Sequence, residues 1–279
     1  MVAIVIPIYK EFSDLDDAEK ISLMQTCSIL PAHDICFVTH KKININAYIS
    51  NIPLGIKTEI FIFDESYFAD IAGYNRLLLG YEFYKPFQMY SHILICQLDV
   101  FVFSDMLAHF VKKDYDYIGA PWFEGYNTAQ KNSRIIGAGN GGFSLRKVNS
   151  FLKVLALFNL FQYPYFKVKS IKEAFVQPPS FIKILKHSWR FKKESYTPIL
   201  PWQFPYYEDL FWSTYVKQFF PWFKVGSIED AIAFSFEMNP DVLFSLNKQQ
   251  LPMGVHAWQK YNPDFWKPYI EQFGYSLPE

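Results

Sequence analysis

The sequence has few cysteines and no excess of either charge, and both absences exclude classes of protein. Its cysteines, Cys27, Cys36 and Cys96, lie among apolar neighbours and lack the paired spacing of a zinc site or a disulfide framework. We therefore expect buried thiols in a reducing compartment. Lys plus Arg and Asp plus Glu number 27 each, so no long-range electrostatic field draws the chain to nucleic acid. No nucleic-acid partner is expected.

Signals for export, membrane insertion and a phosphate-binding loop are also missing. Met1 runs directly into the apolar segment VAIVIPIY, without a basic region or a small-residue cleavage pattern. The longest later apolar tract, 152–166, is interrupted by polar residues and is too short to cross a bilayer cleanly. These features predict a cytoplasmic protein. The GxxxxGK[ST] pattern is absent, so ATP hydrolysis is not indicated.

The chain is rich in apolar and aromatic residues. Of its 279 residues, 51% are hydrophobic and 20% aromatic, which suffices for the core of one large domain. The rings must either fill that core or line a surface that binds flat, partly apolar ligands such as sugars and bases.

The first half alternates short β-branched runs with helical patterns, which predicts an α/β fold with a largely parallel sheet. Ser13 and Asp16 resemble a capping box at the start of the first helix. The other predicted helices are 75–84, 104–112 and 148–160. The predicted strands are 2–8, 34–40, 57–63, 92–99 and 115–118.

After Arg146 the pattern changes, and we interpret 163–200 as an insertion in a single domain spanning 1–279. Between 165 and 195, eight Lys/Arg residues face only two Glu residues and are interleaved with Phe, Ile and Trp. This composition suits peripheral contact with an anionic membrane or a lipid-linked ligand. The alternative is a solvated loop and helix packed on the domain.

Ligands collect at the carboxyl ends of parallel strands in open α/β sheets, and the fourth predicted strand ends at Asp99. Burying this carboxylate unpaired would be costly. A bound Mg²⁺ or Mn²⁺ that bridges substrate phosphates would remove the cost, since these ions take hard oxygen ligands. The alternative is that Asp99 caps the following turn.

Two other segments are candidates for binding a nucleotide diphosphate. After the first strand, Tyr9 could lie against a base and Lys10 near the phosphates. The segment 73–76 is predicted to open a helix, where backbone N–H groups and the Arg76 guanidinium would bind an anion. The alternatives are an ordinary strand exit and an ordinary glycine-started helix.

The second half offers further candidates. The glycines of 137–142 allow the backbone to approach a ligand closely. Glu208 and Asp209 open an aromatic-rich helix, where a carboxylate either serves as a general base or favours the helix terminus electrostatically. His256 lies between small and apolar residues and is either a core histidine or a ligand.

Seven segments in this order resemble a bacterial family of proposed glycosyltransferases known only as a domain of unknown function. They are IVIPIYK, GYNRLLL, QLDVFVF, YDYIGAPW, GNGGFSLR, YEDLFW and LPMGVHAW, and they span about residues 2–260. That family is similar to enzymes of the GT-A type. The resemblance implies a Rossmann-like, mixed but mostly parallel sheet flanked by helices. It also implies a nucleotide-sugar-binding half at about 1–120 and an acceptor-binding half at about 121–260.

The resemblance implies roles for individual residues. Asp99 would bind the metal, with Gln97 in place of the first acid of the Asp-x-Asp motif, and His256 would complete the metal shell. Asp209, with Glu208 as deputy, would be the base of an inverting reaction. The donor would contact Pro7, Tyr9, Lys10, Tyr74, Asn75, Arg76, Gln97 and Asp99. The donor-sugar and acceptor pocket would be shaped by Trp122, Asn140, Gly141, Gly142 and Phe143.

The implied activity is metal-dependent transfer of a sugar, with a UDP-hexose as the default donor, to a glycan or lipid-linked acceptor in bacterial surface polysaccharide synthesis. Two alternatives stay open. A nucleotidyltransferase would need a glycine-rich basic loop after the first strand, where this chain has PIYKEF. A non-catalytic glycan-binding module of the same fold is favoured by the missing first acid.

Overall fold

The computed structural model describes residues 1–161 and 200–277. The basic stretch 165–195 lies outside the described residues, and its two interpretations therefore stay predictions. No helix in the described ranges is long and apolar enough to cross a membrane.

The strands of the described residues are β1 (Val2–Pro7), β2 (Asp34–Thr39), β3 (Thr58–Ile62), β4 (His92–Cys96), β5 (Val100–Val102), β6 (Tyr117–Gly119), β7 (Pro121–Phe123), β8 (Ile135–Ala138), β9 (Phe143–Lys147), β10 (Ser235–Phe236) and β11 (Gly254–His256). The centre of the molecule is a six-stranded sheet with the strand order β3-β2-β1-β4-β9-β6. β1 pairs in parallel with β2 and β4, and β2 pairs in parallel with β3, while β9 is antiparallel to both β4 and β6.

Helices cover both faces of this sheet. They are α1 (Asp17–Ile29), α2 (Ile45–Ile49), α3 (Ile71–Leu78), α4 (Tyr81–Tyr84), α5 (Leu107–Lys112), α6 (Val148–Phe161), α7 (Glu208–Leu210), α8 (Val216–Phe219), α9 (Ile228–Phe234), α10 (Pro240–Leu246) and α11 (Pro263–Glu271). A π-helical turn, Phe211–Tyr215, joins α7 to α8. Short 3-10 turns lie at Phe12–Asp14, Glu65–Tyr67, Lys85–Phe87, Tyr126–Thr128 and Pro201–Gln203.

The predicted fold class is confirmed, since the sheet is mixed, mostly parallel and flanked by helices. The order 3-2-1-4 of its parallel half is that of Rossmann-like sheets, in which ligands bind where the strand order reverses. All five predicted strands are present. The fourth ends at Cys96 rather than at residue 99, which leaves Gln97 and Asp99 in the loop beyond the strand.

The alternation of side chains along β1 separates two apolar cores. Val2, Ile4 and Ile6 pack on one face of the sheet, and Ala3 and Val5 pack on the other. The cysteines Cys27, Cys36 and Cys96 are buried and unpaired, as predicted. Burial raises the pKa of each thiol to about 12.

A second, three-stranded sheet has the order β10-β11-β5. β11 runs antiparallel to β5, and this register sets His256 opposite Val100. Asp99 immediately precedes Val100 in the chain. The strand pairing therefore brings His256 beside Asp99 although 157 positions separate them. A third sheet consists of the antiparallel pair β7 and β8.

Three helix predictions are wrong in detail. The capping box of α1 is formed by Asp16 and Glu19, because Ser13 belongs to the preceding 3-10 turn. The helix predicted at 75–84 is two helices, α3 and α4, interrupted at Gly80. α5 begins at Leu107 rather than at residue 104.

Candidate active site

Two clefts open near the carboxyl ends of β1 and β4. The first, called here the strand-end cleft, has a volume of about 530 Å³, and five predicted donor residues line it: Pro7, Tyr9, Tyr74, Gln97 and Asp99. The second, called the aromatic cleft, has a volume of about 610 Å³. Its lining includes Trp122, Tyr126, Asn140, Tyr206, Tyr207, Asp209, Glu237 and Met238.

His256 lies between the two clefts. Its Nε2 atom is 3.2 Å from Oε1 of Gln97 and 3.4 Å from Oδ1 of Asp99, which both line the strand-end cleft. Its Nδ1 atom is 3.0 Å from Oε1 of Glu237, which lines the aromatic cleft. Each ring nitrogen therefore faces oxygen acceptors.

Such surroundings favour a hydrogen-bond donor at both ring nitrogens, as in the protonated imidazolium. Burial alone would lower the pKa of His256, but Asp99 and Glu237 hold it well above its ordinary value. Burial would raise the pKa of Asp99, but its pairing with His256 lowers it. A metal ion at Nε2 would satisfy the same acceptors as a proton there.

The residues fit a divalent metal that substrate helps to hold. Within the described ranges, no group of three or more His, Cys, Asp and Glu side chains could bind a metal on its own. Asp99 and His256 provide two donors, and the Gln97 amide oxygen provides a third. Mg²⁺ and Mn²⁺ commonly complete such partial shells with substrate phosphates and water. The metal site predicted from the sequence stays a prediction.

Glu237 was not predicted from the sequence. One of its oxygens bonds His256, and the other accepts a hydrogen bond of 2.9 Å from the Asn140 side chain. This arrangement resembles the outer carboxylates that fix the ring orientation of metal-binding histidines. A carboxylate after the apolar run AIAFSF is the same signal that pointed to Asp99, and it could have found Glu237.

The glycine-rich loop after β8 holds the site together. An added Cβ on Gly142 would lie 2.1 Å from Nε2 of His256, so only glycine fits against the ring. The backbone N–H of Gly142 donates to Oδ1 of Asn140, and that of Gly141 donates to Oδ2 of Asp209 at 3.2 Å. These contacts bring the loop backbone against Asp209 and His256, and the predicted close approach of this loop to a ligand stays a prediction.

Asp209 opens α7 at the edge of the aromatic cleft. Burial and the neighbouring Glu208 carboxylate raise its pKa to about 7. A carboxylate with this pKa can accept a proton near neutral pH. The assignment of Asp209 as a general base stays a prediction.

Both oxygens of Glu208 are paired with a buried positive charge. Its Oε1 and Oε2 accept hydrogen bonds of 2.7 and 3.0 Å from Arg146, whose side chain is completely buried. Arg146 also contacts the hydroxyl of Tyr84 and the carbonyl oxygen of Gly141. The structure therefore makes Glu208 part of a buried ion pair that anchors α7 to the glycine-rich loop, and not a deputy base.

Four further predicted residues, Lys10, Asn75, Arg76 and Phe143, line neither of the two clefts. Nζ of Lys10 is 2.6 Å from Glu19, which lines the strand-end cleft, so Lys10 lies beside that cleft. The side chain of Asn75 accepts a hydrogen bond from the backbone N–H of Glu208. Arg76 lines a different pocket. Phe143 is buried in the core and stacks on Phe234.

The predicted anion site at 73–76 is also wrong. Asp70 is the N-cap of α3, and its side chain accepts a hydrogen bond of 2.6 Å from the backbone N–H of Gly73. The helix N-terminus is thus capped by a carboxylate. Tyr74 does line the strand-end cleft. Its hydroxyl is buried near the Gln97 side chain, and it makes no well-formed hydrogen bond with any residue that the structure describes.

A family described as "Protein of unknown function (DUF5672)" matches residues 57–256. The chain belongs to this family. The matched range of DUF5672 contains Asp99, Asp209, Glu237 and His256, and it agrees with the family resemblance noted in the sequence. No curated protein matches the chain.

Several solved glycosyltransferase structures are similar to this DUF5672 member at low identity. Mouse xyloside xylosyltransferase 1 in its apo form is 11% identical, with a TM-score of 0.47 and coverage of 92% of this chain and 97% of the other. Galactosyltransferase LgtC, in complex with donor and acceptor sugar analogs, is 13% identical, with a TM-score of 0.46 and coverage of 100% and 98%. A glycosyltransferase involved in the glycosylation of the major capsid of PBCV-1 is 13% identical, with a TM-score of 0.44 and coverage of 97% and 98%.

Proposed function

We propose that this chain is a metal-dependent glycosyltransferase that moves a sugar, with a UDP-hexose as the default donor, onto a glycan or lipid-linked acceptor. The observation that carries the proposal is the position of His256 between two clefts. One cleft holds the carboxylate and amide oxygens suited to a metal and a diphosphate, and the other holds a candidate base. Two adjacent clefts suit a reaction in which two substrates are held next to each other.

The donor would bind in the strand-end cleft. Asp99, His256 and the Gln97 oxygen would hold the metal, which would neutralise charge that develops on the departing diphosphate. Pro7, Tyr9 and Tyr74 line the same cleft, where rings could contact the base and ribose. The acidic character of this lining, with Asp16, Glu19 and Asp70 beside Asp99, makes a cation necessary for a diphosphate to bind.

The acceptor would bind in the aromatic cleft beside Asp209. The carboxylate would take the proton of the acceptor hydroxyl as that oxygen attacks the anomeric carbon of the donor sugar. The bond from the anomeric carbon to the diphosphate oxygen would break, and the diphosphate would leave with the electron pair. Displacement from the opposite face inverts the anomeric configuration, so inversion is part of the proposal.

The setting of the reaction is also proposed. The family resemblance and the basic stretch 165–195 support synthesis of a bacterial surface polysaccharide on the cytoplasmic face of a membrane. Sedimentation of the protein with anionic vesicles at low salt, but not with neutral ones, would support this setting. Equal behaviour with both vesicles would argue against it.

Calorimetric titration of UDP, GDP and TDP with and without Mn²⁺ tests the donor site. We expect one nucleotide to bind in a manganese-dependent manner and Asp99→Asn to abolish that dependence. Asp17→Asn is the matched control, because the Asp17 side chain is 88% exposed on α1 and lies outside both clefts. Product analysis by NMR then reports the anomeric configuration.

The same titration separates the proposal from a non-catalytic glycan-binding module. That module is favoured by Gln97 in place of an acid in the metal site. Absence of nucleotide binding under every metal condition, together with retained glycan binding, would replace the transferase with the module. Retention of the donor configuration in the product would overturn the role of Asp209 as an inverting base but not the transferase itself.

A further inference from the structure

Exposed aromatic rings form the walls of the aromatic cleft. Tyr126, Tyr206 and Tyr207 are 50%, 66% and 58% exposed, and Trp122 lines the cleft beside Tyr126 with their ring centroids 6.1 Å apart. One wall comes from β7 and the 3-10 turn that follows it, and the other comes from the segment before α7. Rings that remain exposed inside a concavity offer flat apolar faces and hydroxyl groups to a ligand.

The ionisable lining of this cleft, apart from tyrosine hydroxyls, is acidic. Asp209 and Glu237 contribute carboxylates, and none of the described residues that line the cleft is Lys, Arg or His. Nearby in the chain, Lys131 pairs with Asp241 and Arg134 pairs with Glu124, while His256 lies behind Glu237 and does not line the cleft. Recognition of a carboxylate or phosphate normally uses Arg or Lys donors.

We infer that the aromatic cleft accepts a saccharide whose terminal residue carries no acidic group, held by ring stacking, and that Asp209 and Glu237 exclude uronic-acid and phosphate-bearing termini. This inference rests on the proposed function, because it names the acceptor class of the same reaction. Carboxylates accept hydrogen bonds from sugar hydroxyl or ammonium groups, but they repel an anion in a partly desolvated cleft.

Binding of the labelled full-length chain to a glycan array with neutral, amino-sugar and acidic termini tests this inference. The wild type is expected to bind neutral and amino-sugar termini at least tenfold more strongly than matched uronic-acid or phosphorylated termini. Tyr207→Ala should reduce this binding at least tenfold, because it removes one stacking face. Tyr207→Phe is the matched control and should retain it, because the ring is preserved.

A gain-of-binding variant checks the electrostatic half of the inference. Met238 lines the cleft without contributing charge, and Met238→Lys is expected to raise binding of acidic termini at least fivefold. Met238→Gln, which is polar and uncharged, should not. Circular dichroism and the nucleotide titration described above confirm that each variant is folded.

The outcomes separate this inference from the proposed function. Equal or stronger binding of acidic termini by the wild type would overturn the acceptor class, and so would the absence of any bound glycan. In both cases, manganese-dependent nucleotide binding would leave the transferase proposal standing. Selective binding of neutral termini without nucleotide binding would support the ligand class of the cleft and overturn the transferase.

Discussion

Oε1 of Glu237 lies 3.0 Å from Nδ1 of His256, while the opposite nitrogen of the same ring faces Asp99. The second oxygen of Glu237 is held by Asn140. The contact with Glu237 therefore fixes the orientation of the His256 ring, so that Nε2 faces the strand-end cleft. This contact links the two clefts, and the first prediction concerns it.

Glu237→Gln is expected to weaken Mn²⁺ binding by about 10- to 100-fold, the usual effect of losing an outer carboxylate behind a metal-binding histidine. Calorimetry with Mn²⁺ and the bound nucleotide measures the change. Glu229→Gln, at an exposed position of α9, is the control and should bind as the wild type does. Unchanged affinity in Glu237→Gln would show that the ring needs no such partner.

Gly142→Ala is expected to abolish metal-dependent nucleotide binding, because the new methyl group would occupy the position of the His256 ring. Gly137→Ala is the matched control, since its Cβ would meet only Trp122, at 3.9 Å. Both variants should be folded by circular dichroism. Normal titration of Gly142→Ala with Mn²⁺ and nucleotide would place the metal away from His256.

Asp209→Asn is expected to remove transferase activity and to change the pH dependence of stability. The pKa of Asp209 is raised by folding to about 7, so its contribution to stability is present below the unfolded-state pKa and is lost as pH rises through 7. The wild type therefore loses stability between pH 5 and pH 8.5 that the variant does not lose. The unfolding free energy of the variant minus that of the wild type should rise by roughly 2–3 kcal/mol over this range.

Urea denaturation at the two pH values measures this gain, with Asp17→Asn as the surface control. In the wild type, activity should rise with pH up to about 7, because the base must be ionised to accept a proton. A stability difference between variant and wild type that does not change with pH would show that Asp209 titrates at an ordinary value.

Arg146→Met is expected to destabilise the fold by about 3–5 kcal/mol, because it leaves the Glu208 carboxylate buried without its partner. The double variant Arg146→Met/Glu208→Gln should recover a large part of that loss, since no unpaired charge remains. Equilibrium denaturation of both variants at pH 7 measures the coupling. A double variant that is no more stable than Arg146→Met would contradict an ion pair.

Much of the fold was predictable from local patterns. The alternation of apolar runs with helical segments located five of the six strands of the central sheet and its largely parallel character, but it predicted neither β9 nor the strand order. The boundaries were less accurate, because helix starts depend on which side chain caps them. Asp16 caps α1, where the sequence pattern indicates Ser13, and Asp70 caps α3, whose predicted start is residue 75.

The sequence alone determined that Asp99 follows an apolar strand, that glycines cluster before β9 and that acids open α7. Only the tertiary structure decided which of these side chains meet. The antiparallel register of β5 and β11 brings His256 to Asp99. The buried Arg146 pairs with Glu208, while Asp209 lies at the aromatic cleft. Such pairings join positions more than 60 residues apart in the chain. The sequence could not predict them, because hydrophobic periodicity specifies which face of an element is buried but not which polar side chains that element contacts.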